Sequence, residues 1–342
     1  CHAASGGSLT QAPLTPEAVP GREARRFLTM GRAQVFVACV AMMSLQPLLI
    51  NVAAAGEERL PADVFMLAVE ALKVVLCLAA LACRKAMGME AAVWCGLKHS
   101  ATFAVPAVLY LIMNVLKVIV AQAIPPPLFQ LLASTKILAT GLASWALLSK
   151  KLSPLQWAAM VLLTVGVSLG QHRDGGSAAA GAGGASGDVP MLSVLIMLCN
   201  SCLSAMAAVY TERVLKAQQS AALSIFATNL HMATHTLLVN GAKSLVWEAP
   251  ALVSPQNIGW RTWAALGNEA VNGILVSTIM RHADSIVKNY AFSSSIFATA
   301  GISALLLDFR PQVPFFIGSA LVVCSMGMYS RGGASQATKK AA

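Results

Sequence analysis

The sequence predicts an all-α membrane protein: ten transmembrane helices arranged as a 5+5 inverted repeat, the second half inserted upside down relative to the first. Three observations predict it. The chain of 342 residues is 57% hydrophobic and only 11% charged, with mean hydropathy +0.68, and a soluble protein of this length carries about twice that charge. Stretches of about 20 apolar residues, enough to cross a ~30 Å hydrocarbon core, recur along the chain. Corresponding stretches in the two halves start about 160 residues apart.

In chain order, residues 1–30 read as a disordered cytosolic tail, rich in Pro, Gly and Ser and ending in arginines. Glu17, Glu23 and the want of an apolar h-region argue against a targeting peptide. The first five-helix repeat occupies 31–171, with spans near 34–54, 62–83, 101–122, 126–149 and 154–171. A Gly/Ala-rich run at 172–189 reads as a flexible lumenal linker. The second repeat occupies 190–330, with spans near 190–211, 221–242, 260–280, 285–307 and 312–330. Residues 331–342 form a cytosolic tail.

The pairing of the halves shows in the letters as well as the spacing. At an offset of 159, "ILATGLASWALL" (Ile137–Leu148) lies over "IFATAGISALLL" (Ile296–Leu307). A half with five spans, when duplicated, must insert in the opposite sense. Secondary transporters built this way hold their substrate near the midplane, between the halves.

Basic residues set the orientation. With the N-terminus in the cytosol, the cytosolic segments hold fifteen: Arg22, Arg25, Arg26, Arg32, Arg84, Lys85, Lys98, Lys150, Lys151, Arg213, Lys216, Arg281, Arg331, Lys339 and Lys340. The opposite side holds five: Arg59, Arg173, Lys243, Arg261 and Arg310. This asymmetry obeys the positive-inside rule and puts both termini in the cytosol. Topology and the lipid bilayer therefore explain most of the net charge of +10, and no nucleic-acid partner is implied.

The remaining four basic residues, Lys73, Lys117, Lys136 and Lys288, fall inside spans. A lysine at mid-bilayer costs about 3 kcal/mol on insertion scales, so it usually faces a bundle interior or a wet cavity. Intramembrane acids are fewer, Glu70 and Glu269, and Glu70 stands one turn before Lys73, close enough to pair. The surplus is positive, and a cavity with surplus lysines suits an anion, phosphate foremost. Helical spacing puts Tyr110, Asn114 and Lys117 on one face of span three. Phe129, Ala133, Lys136 and Thr140 share a face of span four, and Asp284, Lys288, Ser295 and Thr299 one of span nine. Asn268 and Asn272 stand one turn apart in span eight, and the polar residues of these faces read either as cavity lining or as polar glue between helices.

Other patterns carry less. His231 and His235, at i and i+4, have the spacing to grip a metal. A divalent-cation carrier should show an excess of intramembrane carboxylates, however, and the excess here is of lysines; no metal site and no cofactor are predicted. Cys199 and Cys202 form a lone C-x-x-C inside a span and read as small packing residues. Gly166 and Gly170 offer a small-xxx-small face for close helix contact. Walker, hydrolase-elbow and zinc-protease motifs are missing from the sequence, so an enzyme is not predicted.

Two blocks carry a resemblance. "PAVLYLIMNVLKVIVAQAIPPPLFQLLASTKILATGLASWALLSKKLSPLQWAAMVLLTVGVSLGQ" (Pro106–Gln171) resembles the third to fifth helices of nucleotide-sugar transporters. "AVYTERVLK" (Ala208–Lys216) and "VSTIMRHADSIVKNYAFSSSIFATAGISALLL" (Val276–Leu307) agree with it. The branch it looks like is that of CMP-sialic acid and UDP-galactose transporters, of the drug/metabolite transporter fold. The resemblance implies exchange of a cytosolic nucleotide sugar for a lumenal nucleoside monophosphate, CMP or UMP, across Golgi or ER membranes. It implies a CMP-linked sugar first, such as CMP-sialic acid or a CMP-Kdo-like sugar, and UDP-galactose next. By motif it puts Lys136 and Lys288 at the phosphate and Lys73 in the second helix. Tyr110, Asn114 and Gln130 fall beside the site, and Asn229 and Ser277 approach the nucleotide.

Departures touch the residues nearest base and sugar. Phe129, Ala133 and Ser134 replace two tyrosines and a glutamine, Ser285 replaces an asparagine, and Ala233 and His235 stand where tyrosine and serine are typical. The alternative reading is a drug/metabolite exporter or a triose-phosphate-type translocator. The final "KKAA" resembles a dilysine retrieval signal, which implies cycling through the ER. A homodimer is among the oligomeric states left open.

Overall fold

Ten long α-helices make up the architecture of the described residues, which contain no strands. They are α1 (Arg22–Ala54), α2 (Ala62–Ala86), α3 (Ala104–Ala121), α4 (Lys136–Leu148) and α5 (Pro154–Gly170), then α6 (Met191–Ser220), α7 (Ile225–Trp247), α8 (Trp260–His282), α9 (Ser285–Leu306) and α10 (Val313–Ala341). The structure is a computed structural model and describes residues 22–54, 60–88, 100–121, 129, 132–170, 191–220, 223–247, 259–306 and 313–341. The linker at 172–189, residues 1–21 and Gln130 lie outside the described residues, as does the side chain of Lys117.

Four helices contain a stretch long and apolar enough by itself to cross a bilayer: Ala33–Ile50, Ala62–Ala86, Met191–Ala217 and Val313–Gly333. Ala104–Leu116, Leu132–Leu148 and Pro154–Gly170 are apolar but shorter. Helices α7, α8 and α9 have the length, at 23, 23 and 22 residues, but are more polar. Their polar groups point inward: Asn229, Asn268, Asn272, Ser277, Asn289 and Ser293 are all buried. Large apolar side chains such as Val75, Leu142, Trp145, Leu305 and Val323 are exposed instead. An apolar exterior around polar interior contacts is the distribution a lipid solvent selects.

Helix ends differ from the sequence expectation at both termini. α1 starts at Arg22, inside the segment expected to be disordered, because the Arg/Glu/Ala run there is made of strong helix formers. α10 continues through Ala341, past the end of the expected span, although Gly332 and Gly333 are weak helix formers. α5 begins as its sequence dictates: Ser153 and Gln156 form a capping box, with Gln156 N–H donating to Ser153 Oγ at 3.2 Å and Ser153 N–H to Gln156 Oε1 at 2.9 Å. Pro154 fills the first helical position, where its missing N–H costs nothing.

The helices pack in a pattern that repeats on moving five places along the chain. α1 packs on α8 and α9, and α6 packs on α3 and α4. α2 meets α8 while α3 meets α7; α4 follows α5 as closely as α9 does α10. Three contacts map onto themselves: α5 with α10, α2 with α7, and α4 with α9.

The α5–α10 contact is the closest crossing and uses the predicted glycine face. A Cβ on Gly318 would stand 2.5 Å from the carbonyl oxygen of Gly166 and 2.6 Å from the backbone nitrogen of Gly170. Those are backbone atoms, so the helices themselves must separate to admit a side chain. Gly318→Val is therefore expected to lower stability by about 3 kcal/mol. Gly327→Ala, on the same helix with nothing within 4 Å of its Cβ, should be neutral or slightly stabilising. Thermal unfolding of the two variants in detergent checks the contrast.

Candidate functional site

The predicted span four is not one regular helix, and its irregularity builds the site. The carbonyl of Leu132 accepts from Thr135 N–H at 3.2 Å, from Thr135 Oγ1 at 2.6 Å and from Ser201 Oγ of α6 at 3.0 Å. Hydroxyl groups inserted at one carbonyl disturb the i→i−4 ladder, and Thr135 becomes a turn. The regular helix α4 restarts at Lys136. Lys136 thus sits just after a tightened turn within the apolar helix Leu132–Leu148, with Thr135 still in right-handed helical conformation.

Lys136 lines a cavity of about 310 Å³ between α3, α4, α5, α6 and α9, at the small end of the range for a small-molecule site. From α4 and the segment before it come Phe129, Ala133, Ser134 and Lys136; from α3, Asn114. α6 contributes Asn200, Ser201 and Ser204, and α9 contributes Asn289, Phe292 and Ser293. No carboxylate lines it among the described residues. The Lys136 ammonium stands 4.5 Å over the Phe292 ring, a cation–π contact worth about 0.5–2 kcal/mol.

The polar walls are held in place by bonds to neighbouring helices. Asn289 donates to Thr140 Oγ1 at 3.1 Å, which fixes α9 against α4. The hydroxyls of Ser134 and Ser168 lie 3.0 Å apart, joining α4 to α5. Asn200 is buried, and its carboxamide oxygen has no hydrogen-bond partner, an unmet acceptor on a cavity wall.

The cavity brings together only part of the sequence-predicted set. Lys136 and Asn114 line it; Lys288, Lys73, Tyr110, Asn229 and Ser277 are not among its lining residues. Lys288 is one residue from Asn289 on α9, and its charge acts on Cys39 of α1. Lys73 is paired with Glu70 at 2.5 Å, between α2 and α8. Asn229 and Ser277 are buried and donate to carbonyls of their own helices, Ile225 at 2.9 Å and Gly273 at 2.9 Å. The two histidines pack around Phe103: the His231 ring stacks on it at 5.7 Å, and Ser100 Oγ lies 3.3 Å from His231 Nδ1.

The α6 wall was not singled out from sequence. Its signal was present as Asn200, Ser201 and Ser204, interleaved with the C-x-x-C pair. The cysteines are exposed and free, so they point away from the bundle while the asparagine and serines point in. On α9 the sequence stripe ran through Ser295 and Thr299, which instead line a groove against α1; the cavity takes the adjacent face, Asn289 and Ser293.

One end of the bundle is cross-linked by ion pairs and hydrogen bonds. Asp284 caps α9, accepting from Val287 N–H at 2.8 Å, and pairs with Lys150 of the α4–α5 link. Glu212 of α6, fully buried, accepts from Ser285 N–H at 2.8 Å and Ser285 Oγ at 2.7 Å, and from Lys216 at 2.6 Å. At the opposite end Lys243 of α7 pairs with Asp63 of α2 at 2.6 Å.

Comparison with known proteins adds three findings. The model of the nucleotide-sugar transporter family matches residues 32–330. CMP-sialic acid transporter 2 of Oryza sativa subsp. indica is 29% identical over 233 residues, 67% of this chain and 63% of its own length. The UDP-galactose translocator of Mus musculus is 32% identical over 232 residues, 66% of this chain and 57% of its own length. The chain therefore matches less than two thirds of the length of these relatives. A solved crystal structure aligns with TM-score 0.63 over 88% of this chain and 97% of its own, at 13% identity, a likeness of fold.

Proposed function

This chain belongs to the nucleotide-sugar transporter family, and from that premise we propose that it is an antiporter of nucleotide sugar against nucleoside monophosphate. The carrying observation is the Lys136 cavity: an ammonium inside the bundle, among hydroxyls and carboxamides and with no carboxylate in the described lining. That chemistry fits a phosphoryl anion attached to a group rich in donors and acceptors. A CMP-linked sugar is the leading substrate, with CMP as the returning species; UDP-galactose and UMP come next. The relatives, a CMP-sialic acid transporter and a UDP-galactose translocator by name, support both.

In this reading Lys136 neutralises the phosphate, and Asn114 with the α6 wall of Asn200, Ser201 and Ser204 orients the rest. Lys288, Tyr110, Gln130, Asn229 and Ser277 belong to the site as it is completed when the halves move. The five-place recurrence of the packing supports a 5+5 inverted repeat of 31–171 and 190–330, the plan in which two halves rock about a central site. The Lys150–Asp284 and Glu212–Ser285 bonds cross-link one end in the present state, and their release accompanies opening there. The positive-inside bias supports cytosolic termini, and the resemblance supports a Golgi membrane with cycling through the ER.

The test is direct. Proteoliposomes preloaded with CMP or UMP should take up labelled CMP-sialic acid or UDP-galactose, and empty vesicles should not. Equal uptake by empty and preloaded vesicles would exclude exchange. Uptake of none of these, with exchange of small phosphates such as phosphoenolpyruvate, would favour a phosphate translocator.

A further inference from the structure

Away from the cavity, the Glu70–Lys73 pair of α2 packs against the face of α8 that carries Glu269. Glu70 and Lys73 lie midway along α2 (Ala62–Ala86), and Glu269 lies midway along α8 (Trp260–His282). Lys73 donates to Glu70 Oε1 at 2.5 Å. Its chain runs against α8, since a Cβ on Gly273 would stand 3.2 Å from Lys73 Cδ and 3.5 Å from its Nζ. Glu269 is one turn before Gly273 on that face, within electrostatic range of both Lys73 and Glu70. Glu70 is only 6% exposed. Glu70 Oε2 and Glu269 Oε2 are both buried without a hydrogen-bond partner.

The charge count is unbalanced. Two carboxylates and one ammonium leave a net negative charge at mid-bilayer, where an unpaired ion is costly. Two carboxyl groups sharing a site cannot both ionise cheaply, and each has an oxygen for which nothing donates.

Among the described residues, neighbouring elements bring no second cation. From α7, His231 lies against Ser100 and Phe103, His235 bonds the His231 carbonyl, and Lys243 is held by Asp63. Cys77 of α2 is a further neighbour of Lys73. From α1, the Cys39 thiol donates to Asn272 of α8. From α6, Glu212 is taken by Ser285 and Lys216. On α9, Asp284 is held by Lys150, while Lys288 acts on Cys39.

We infer that Glu70, Lys73 and Glu269 form an intramembrane proton site, which holds one proton shared by the two carboxyls and couples it to the transport cycle. α2 and α8 fall in different halves and touch, and the coupling requires this contact to shift during the cycle. Separation of Glu269 from Lys73 changes the number of charges one ammonium must balance, and the proton is taken up or released with that step. The coupling rests on the antiport reading above; the proton site itself does not.

Two measurements test it. Infrared spectra of the purified protein near neutral pH should contain the carbonyl stretch of one protonated carboxylic acid. Either Glu269→Gln or Glu70→Gln should remove it, because each leaves one carboxylate balanced by Lys73. A wild-type spectrum without that band, or variants that keep it, would overturn the site; two variants guard against one failing to fold. In proteoliposomes with the membrane potential clamped, a one-unit pH gradient should change wild-type accumulation of the labelled nucleotide sugar by about tenfold if one proton moves per cycle. Accumulation by Glu269→Gln should ignore the gradient. Wild-type accumulation indifferent to pH would overturn the coupling. If the wild type exchanges no nucleotide at all, the antiport reading and the coupling fall together, while the infrared comparison still decides the site.

Discussion

Lys136→Gln is expected to slow nucleotide exchange about 100-fold and to abolish the thermal stabilisation that CMP or UMP gives the parent protein. A charge-assisted hydrogen bond to phosphate contributes about 1.5–3 kcal/mol, and the upper part of that range is two decades in affinity. The effect on ligand stabilisation separates a binding lysine from a structural one. Held in a membrane interior, the ammonium costs about 3 kcal/mol, and the Phe292 ring returns about 0.5–2 kcal/mol of that. Glutamine removes the charge, is one atom shorter and keeps a donor, so the ligand's stabilisation should vanish whichever way the unliganded unfolding temperature moves. A structural lysine would show the reverse, a lower unfolding temperature with ligand stabilisation retained. Lys136→Arg should keep part of the exchange, since the charge persists but the guanidinium fork does not fit a position chosen for a point charge. Exchange in Lys136→Gln at the parental rate would sink the assignment.

Much of the fold was legible in the letters, and the places where it was not have physical causes. Apolar stretches placed the ten helices of the described residues, and four of these are long and apolar enough by themselves to cross a bilayer. The glycine pair Gly166 and Gly170 announced a close crossing and met Gly318. The charge of Lys136 pointed inward for a reason composition contains: it is too costly to leave in lipid. The turn at Thr135 was not legible, because it depends on a hydroxyl from α6, Ser201, reaching the same carbonyl as Thr135. That is a tertiary contact between residues 69 positions from each other at Leu132 and Ser201. The cavity walls on α6 and α9 were missed for a related reason. Serine and asparagine in a membrane helix serve equally as interhelical glue and as lining, and only the assembled bundle separates Asn200 at the cavity from Asn268, which donates to Met42 O at 3.2 Å. The lysines divide the same way: one charge, four positions, and two described outcomes, a cavity for Lys136 and a carboxylate for Lys73.

Glu212→Ala carries the largest expected loss of stability. Glu212 is among the most deeply buried polar residues, at 1% exposure, and its oxygens serve three donors from two directions: the N–H and hydroxyl of Ser285 and the ammonium of Lys216. Hydrogen bonds to an ionised acceptor contribute about 1.5–3 kcal/mol each. The Lys216 side chain is 42% exposed, so its share is small; the two Ser285 bonds dominate. Alanine leaves the Ser285 N–H at the start of α9 without its acceptor and opens a void, for a loss of about 3–4 kcal/mol. Ser285→Ala forfeits only the hydroxyl bond and should cost about half as much, while Glu212→Gln keeps one acceptor oxygen and should fall between. Thermal unfolding in detergent orders the three. The same carboxylate ties α6 to the α8–α9 junction next to the Lys150–Asp284 pair, so a weakened variant should also expose that end of the bundle. A cysteine placed at Ser285 should then react with a water-soluble maleimide faster in the Glu212→Gln background than in the parent. Equal labelling together with an unchanged unfolding temperature would mean that α9 is anchored elsewhere, and that these bonds do not close that end.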